Sequence, residues 1–369
     1  MTATKETVSH YAGLLIGNTV LNARALYLRH AASTLRVRSN STALLDRLAR
    51  YFSHVSVAAT DTDMEVIAID RATLELDIDF IDWRREPGKA GRKDSYVDLE
   101  GGRLLRKVRT GMVFLQSEDK RIAVGPCLRH DNQLINFINS QFMNRLQQDG
   151  WLICHAAGLV KGGQVLALAG FSGGGKSTLM LQLLDDTGAT YLSNDRLFVR
   201  RSHGETMACG IPKLPRVNPG TIVHNPRLHP LLPDLDRNAL LRLPAEALWE
   251  LEDKHDVFID EIFGTGRIAD RGRLAVFLVL NWRRGSGRPT ELQRVDLEQR
   301  PDLLDAIMKS PGPFYMDADG CPYRDSTPLD HGAYLAALSG VAVYEVSGAV
   351  DFSAMPKRLR DSRWWQRHA

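Results

Sequence analysis

Apolar positions recur along this chain in two rhythms, and the point where one replaces the other divides it. Residues 34–38 (TLRVR) alternate as a strand does. Residues 41–52 carry Leu44, Leu45, Leu48 and Phe52 at helical spacing behind Ser41, a residue suited to capping a helix. Short apolar segments follow at 64–69 and 76–81, and the Gly-, Lys- and Arg-rich stretch 87–93 reads as an exposed loop. Residues 1–130 are therefore expected to form a small α+β domain. From Asp131, Leu134, Ile138, Phe142 and Leu146 recur every four residues, Ile135 widens the stripe and Gly150 supplies a stop. Residues 131–150 are expected to be a packing helix that links two domains.

Beyond Trp151 the pattern becomes β-rich with one strong helix. Segments 152–160, 164–169 and 190–200 suit strands, and 176–184 suits a helix. Residues 273–282 (RLAVFLVLNW) form a continuous apolar run, as expected of a strand buried on both faces. Residues 151–369 are expected to be a second domain with a substantial sheet, which makes the fold class α/β. No internal repeat or low-complexity tract interrupts either part.

Bulk composition narrows the function classes. A chain of 369 residues suits two domains, and 44% hydrophobic with 25% charged residues is ordinary for a globular protein. The net charge of +3 is small and scattered, so nucleic acid is not indicated; the basic stretches 84–93 and 357–367 read as solvated surface. Cys127, Cys154, Cys209 and Cys321 form no CxxC pair, which suggests neither a zinc site nor a disulfide framework. The longest apolar run, 274–280, is far below the roughly 18 residues of a membrane span, and the N-terminus lacks the pattern of a secretion signal. No membrane partner and a cytoplasmic location are the expectations.

The chemistry is concentrated in the stretch QVLALAG-FSGG-GKST. It fits G-x-x-x-x-G-K-[ST] at Gly170, Gly175, Lys176 and Ser177, between an expected strand and an expected helix. Ser172, Gly173 and Gly174 lie inside the loop, and Thr178 follows it. Consecutive glycines let successive N–H groups turn inward around a polyphosphate at the positive end of a helix. Lys176 adds a full charge on the β and γ phosphates, and Ser177 offers its hydroxyl to Mg²⁺. ATP and Mg²⁺ are the expected cofactors. A glycine-rich turn that bound nothing would have no need of Lys and Ser after its third glycine.

A second cluster, Ser193, Asn194, Asp195 and Arg196, interrupts an apolar strand pattern. Polar groups are costly there unless used or paired, and the short connection from the loop helix can bring them beside the phosphate loop. The plain alternative is a surface turn built on Asx chemistry.

On these residues the chain resembles the HPr kinase/phosphorylase group, and more closely the HPr-kinase-related kinases of the B type. His155-Ala156-Ala157-Gly158-Leu159-Val160 stands where those proteins place a His-Gly-Val-Leu-Val strand. Gly170 to Ser177 matches their Gly-x-Ser-Gly-x-Gly-Lys-Ser loop, and Ser193-Asn194-Asp195-Arg196 their Ala-Asp-Asp-Arg. Glu261-Ile262-Phe263-Gly264-Thr265-Gly266-Arg267-Ile268 resembles their Glu-Ile-Arg-Gly-x-Gly-x-Ile signature, followed in both by an apolar strand ending in Trp. The resemblance implies a P-loop kinase domain related to phosphoenolpyruvate carboxykinase. It also implies that Ser177 and Glu261 help bind Mg²⁺, that the Asp pair faces the acceptor hydroxyl, and that His155 assists Asp195 through a hydrogen bond. A homo-oligomer is implied in the same way.

Two departures bear on the acceptor. Asn194 replaces the first Asp of the pair, and an amide cannot take up the acceptor's proton. Phe263 replaces the Arg of the glycine signature, with Arg267 near enough in sequence to replace its charge. Both weigh against HPr and leave phosphoryl transfer intact, since positioning and charge neutralisation do most of that work. Asp195 is expected to orient the acceptor and take its proton late. His155 has the alternative of a plain core histidine. Lys213 and Arg216, on the proline-stiffened segment 210–220 (GIPKLPRVNPG), suit a clamp for an anionic acceptor or simply an exposed loop.

Three readings of function stay open. The first is an ATP-dependent kinase for a hydroxyl of an unidentified small molecule or protein. The second is an HPr-type serine kinase/phosphorylase, and the third a non-catalytic module gated by nucleotide. A switch or motor NTPase fits less well, because the strand that might end in a Mg²⁺-binding Asp ends at Asn281 and Trp282. Segments 314–319 and 344–352 carry no chemistry derivable from their residues.

Overall fold

The computed structural model describes residues 7–84, 91–171 and 173–360. Much of the basic stretch 84–93, most of 357–367 and the loop residue Ser172 lie outside the described residues. The chain is α/β and folds as two compact units: Met1–Gly150 with Ser310–Pro328, and Trp151–Lys309 with Leu329–Ala369.

In unit 1 the strands are β1 (Ala25–His30), β2 (Ser33–Ser39), β3 (Ser56–Val57), β4 (Met64–Asp70), β5 (Ile81–Asp82), β6 (Asp94–Leu99), β7 (Gly102–Lys107), β8 (Val113–Ser117) and β9 (Arg121–Gly125). They form one mixed sheet in the order β3-β1-β2-β4-β9-β8-β7-β6-β5, parallel at β2·β4 and β4·β9. The helices are α1 (Val8–Ile16), α2 (Thr42–Tyr51) and α3 (Asp131–Gln148). Ser41 Oγ accepts from Leu44 N at 3.2 Å and starts α2, the crossover between parallel β2 and β4. Helix α1, which no periodic signal announces, brings Tyr11 and Leu15 onto Val113, Ile122 and Val124. The apolar residues Leu74, Leu76, Ile78 and Phe80 alternate, yet pack on that core as irregular chain.

The segment Ser310–Pro328 departs from the reading of 151–369 as one continuous domain, because it is built into unit 1. Phe314 lodges 5.3 Å from the Phe114 ring and 5.0 Å from that of Phe137. Its carbonyl accepts from Asn144 Nδ2 at 2.8 Å, and Gln148 Nε2 donates to Met316 O at 3.1 Å. Arg103, fully buried over the Tyr96 ring, donates to Tyr323 O at 2.7 Å and pairs with Asp98 at 2.6 Å. Buried Asn144 and half-buried Gln148, polar residues of α3 that the apolar stripe leaves over, are thus donors to this segment's carbonyls, which no sequence period reveals.

Unit 2 has β10 (Leu152–Cys154), β11 (Ala157–Lys161), β12 (Gln164–Gly170), β13 (Ala189–Ser193), β14 (Leu197–Ser202), β15 (Glu205–Cys209), β16 (Arg216–Val217), β17 (His255–Asp256), β18 (Arg271–Leu280), β19 (Glu291–Arg294) and β20 (Ala342–Ser347). Its main sheet runs β10-β14-β15-β18-β12-β11-β13, with β20 paired to β18 and β19. Strands β12, β18 and β20 run parallel, so their C-terminal ends share one edge. The helices are α4 (Lys176–Leu183), α5 (Pro219–Val223), α6 (Asp234–Leu240), α7 (Ala245–Glu250), α8 (Ile259–Phe263), α9 (Pro301–Ile307), α10 (His331–Leu338) and α11 (Ala354–Arg360). Leu303, Leu304 and Ile307 of α9 and Tyr334 and Leu338 of α10 cover Val165, Ala167, Phe277 and Val279. Buried Leu179, Met180 and Leu183 anchor α4, which packs against β11 and β12. The continuous apolar run of β18 is explained by neighbours on both edges and both faces.

If Phe314 anchors Ser310–Pro328, Phe314→Ala should lower the unfolding free energy by about 3 kcal/mol, the usual cost of emptying a buried aromatic site. Urea unfolding of both proteins measures this; a loss below about 1 kcal/mol contradicts the packing described.

Candidate phosphate-loop site

The loop begins at the last β12·β18 pair. Gly170 pairs with Leu280, and a Cβ on Gly170 would stand 2.7 Å from the Leu280 carbonyl oxygen. Only glycine fits that backbone approach. Gly173 and Gly175 adopt φ of +75° and +79°, turning the chain sharply into α4. Lys176 opens α4, and its Nζ donates to Gly170 O at 2.9 Å, so the side chain folds back over the loop's first residue. Ser177 occupies the first turn of the helix. Thr178 Oγ1 meets Thr221 Oγ1 of α5 at 2.8 Å and ties the helix start to its neighbour.

The loop is braced from beneath by residues the sequence reading leaves without a role. Trp282, just past β18, donates from Nε1 to Gly174 O at 2.8 Å. Its ring meets Phe352 edge-on at 5.1 Å, and Phe352 lies so close to Gly175 that a Cβ there would be 2.3 Å from the ring. Phe352 sits just ahead of α11, whose start is held by Asp351 accepting from Ala354 N at 2.9 Å.

Beside the loop, two strand breaks face each other. The stretch 152–160 is broken into β10 and β11 at His155 and Ala156, and 190–200 into β13 and β14 at 194–196. Cys154 pairs with Leu197, and Gly158 with Ser193, so the residues between them are opposed. Ser193 Oγ donates to Arg196 O at 2.6 Å and closes the turn. His155 Nε2 then lies 3.3 Å from Asp195 Oδ1, and Arg196 Nε 3.7 Å from Asp195 Oδ2. The neighbouring Asn194 Oδ1 is buried without a hydrogen-bond partner among the described residues.

The charges around Asp195 act on one another. Burial alone would raise the Asp195 carboxyl, but Lys309, the His155 hydrogen bond, Arg196 and Lys213 together hold it well below the usual carboxylate range. The bond to Asp195 favours protonated His155, yet desolvation with the charges of Lys309 and Lys176 outweighs it and lowers the imidazole's pKa. Burial brings Lys176 down to about 8, partly opposed by Asp195. Lys213 falls to about 7, first through burial and then through Arg196, again opposed by Asp195.

Lys309 has no motif around it in the sequence. It arrives through topology: Cys154 bridges Met308, and His155 N donates to Ile307 O at 2.7 Å. The residue after Met308 is thereby carried to the His155 break. A lysine following an amphipathic helix gives no sign of such a role.

Two expected site residues are engaged elsewhere. Arg267 donates to Leu184 O at 2.6 Å, Asp186 O at 2.8 Å, Ala189 O at 2.8 Å and Phe263 O at 3.2 Å. Those first carbonyls close the C-terminal end of α4, roughly 12 Å along the helix from Lys176, so Arg267 complements the helix dipole there rather than standing in for the charge that Phe263 lacks. Phe263 itself is buried. Arg216 Nε pairs with Asp256 Oδ1 at 3.0 Å, and Nη2 donates to Lys254 O at 3.0 Å, which commits its charge to the β16·β17 ladder. Lys213 alone of the expected clamp acts on Asp195. Glu261 lies exposed on α8. Among the described residues no group of three or more His, Cys, Asp and Glu is gathered as a metal cage, and no helix is long and apolar enough to cross a membrane.

No protein-family model matches this chain, and no curated protein matches it. Among solved structures, it is similar to the Hpr(Ser) kinase/phosphatase from Coxiella burnetii, at 12% identity and a TM-score of 0.28, over 58% of this chain and 92% of that one.

Proposed function

We propose that unit 2 transfers the γ-phosphoryl group of ATP to a hydroxyl of a separate acceptor. The observation that carries this reading is the joint placement of two parts. A glycine-turned loop opens into a helix that starts with lysine, and a carboxylate at a matched pair of strand breaks lies within electrostatic reach of that lysine. Main-chain amides of the loop and Lys176 would hold the phosphates. In the step itself, the bond from the γ-phosphorus to the bridging oxygen breaks as the bond to the acceptor oxygen forms. ADP departs, and the acceptor's proton passes to Asp195.

A carboxylate held so strongly ionised is a weak base. It suits late proton uptake and orientation of the hydroxyl, which is what a loose phosphoryl transition state requires. His155, its pKa lowered, holds Asp195 in place. Ser177, in the first turn of α4, is a hard oxygen donor of the kind Mg²⁺ takes alongside phosphates and would hold it; bound there, it would supply charge neutralisation on the nucleotide. Glu261, exposed on α8, has only the family resemblance behind a metal role. HPr as acceptor is the narrower reading, and Asn194 and buried Phe263 count against it.

The electrostatics support a functional use of these lysines. A cation buried to the point of losing its charge near neutrality destabilises the fold, and such groups concentrate at working sites.

Replacing Lys176 with Ala should slow ADP release about a hundredfold or more, taking one lost phosphate-stabilising donor as the measure. Near-normal turnover in a coupled ADP assay would remove Lys176 from the mechanism. Asp195→Asn should abolish transfer while nucleotide affinity stays within about twofold, a split that calorimetry and the ADP assay read separately; retained transfer leaves Asp195 a structural role only. The third test is pH. Folded Lys213 loses its proton at about 7, whereas in the unfolded chain a lysine does so at roughly 10.4. Over that window the unfolded state binds more protons, so stability rises with pH, and the group contributes no slope below or above it. Denaturant unfolding from pH 7 to 9 should therefore show a steeper rise for the wild type than for Lys213→Met; equal slopes would contradict this.

A further inference from the structure

A buried ion pair of unit 2 takes no part in the chemistry above, yet it reaches the residue next to the phosphate loop's brace. Glu345, in β20, is buried. Arg300 Nη1 donates to its Oε2 at 2.7 Å and Nη2 to its Oε1 at 3.0 Å, and Asn281 Nδ2 donates to Oε1 at 2.6 Å. The hydrogen bonds of Arg300 outweigh burial and, with that of Asn281, hold the carboxyl below the usual carboxylate range, so it is charged. Arg300, itself half-buried, also grips Asp302 at 2.8 and 2.9 Å. A buried pair of this kind adds little net stability over a well-packed apolar side chain, because desolvation offsets the attraction.

Its place in the sheet gives it a direction. Glu345 pairs with Val279, which lies in the core that α9 and α10 cover, and Arg300 immediately precedes α9. Beyond β18 the ladder to the β20 side continues, with Asn281 N donating to Val346 O and Arg283 N to Gly348 O, both at 2.8 Å. Successive side chains along such a ladder point to opposite faces. Asn281, bonded to Glu345, takes the α9 face. Trp282 therefore takes the other, where its indole donates to Gly174 O at 2.8 Å and its ring meets Phe352.

We propose that Glu345 is a positioning residue for the phosphate loop: by holding Asn281 to one face of the sheet it holds the Trp282 indole against Gly174 on the other. Glu345 acts only through Asn281 and Trp282. Its effect on nucleotide rests on the reading of the loop as a phosphate site, whereas its hold on Trp282 does not.

The test uses the full chain labelled with ¹⁵N-tryptophan, the Trp282 indole signal being assigned by its loss in Trp282→Phe. In the wild type that N–H is buried and bonded, so it exchanges slowly with water. Exchange at least about tenfold faster is expected in Glu345→Leu and in Asn281→Ala. Calorimetry should show AMP-PNP with Mg²⁺ bound about fivefold more weakly or worse in both, because the loop is less preorganised. Adding Glu345→Leu to Trp282→Phe should change affinity by less than about twofold, since both act through one contact. Thermal melts establish that each variant is folded. Asn281→Ala leaves the Glu345–Arg300 pair intact and decides the question if Glu345→Leu does not fold. Unchanged indole exchange, unchanged affinity, or losses that multiply in the double variant overturn the proposal. Should the wild type bind no AMP-PNP, the kinase reading falls, and indole exchange alone decides for or against Glu345.

Discussion

The backbone approach of β12 to β18 at Gly170 and Leu280 is the constraint from which the rest of the site is built. A side chain at Gly170 would meet a carbonyl oxygen at 2.7 Å, so the two strands could not end in register. Register matters because Trp282, two residues beyond Leu280, reaches Gly174 O only from that position. Phe352 then leans on Trp282 and closes over Gly175. The loop is therefore a stiff object, turned by glycines and wedged by two aromatic rings. A phosphate cradle requires that stiffness, because amides already pointing inward need not be ordered on binding.

The second half of the site follows from a shared interruption. Two neighbouring strand pairs break at the same level, and each break exposes a polar residue to the other, His155 and Asp195. Within a continuous sheet these groups would be buried without use. The stabilising hydrophobic layer of α9 and α10 lies on the sheet behind them, and the same α9 delivers Lys309. For Lys309, core packing and charge placement are thus carried by one element.

Much of this was legible in the sequence wherever the signal is local. The alternation at 34–38, the capped helix after Ser41, the stripe of α3, the apolar run of β18 and the strand-loop-helix around Lys176 each depend on a few consecutive residues and occur in the structure within a residue or two of the expected limits. Signals that depend on distant partners were not legible. Arg267 looked available because nothing nearby in sequence reveals that the carbonyls of Leu184 and Asp186 past the end of α4, of Ala189 in β13 and of Phe263 in α8 surround it. Arg216 looked like a clamp until Asp256, forty residues away, is seen beside it. Lys309, Trp282 and Phe352 gain their places from strand register alone. The segment Ser310–Pro328 was hidden for the same reason, since its partners, Phe114, Phe137, Arg103 and the polar Asn144 and Gln148 of α3, are distant in sequence.

The central claim is that the loop from Gly170 to Ser177 grips a triphosphate. A crystal structure of the full chain grown with AMP-PNP and Mg²⁺ tests it most directly. The account predicts β- and γ-phosphate oxygens within hydrogen-bond distance of Lys176 Nζ and of the loop amides from Gly173 to Ser177, with the γ-phosphate facing Asp195. Nucleotide bound elsewhere, or density showing the loop closed to phosphate by Phe352 and Trp282, would contradict it.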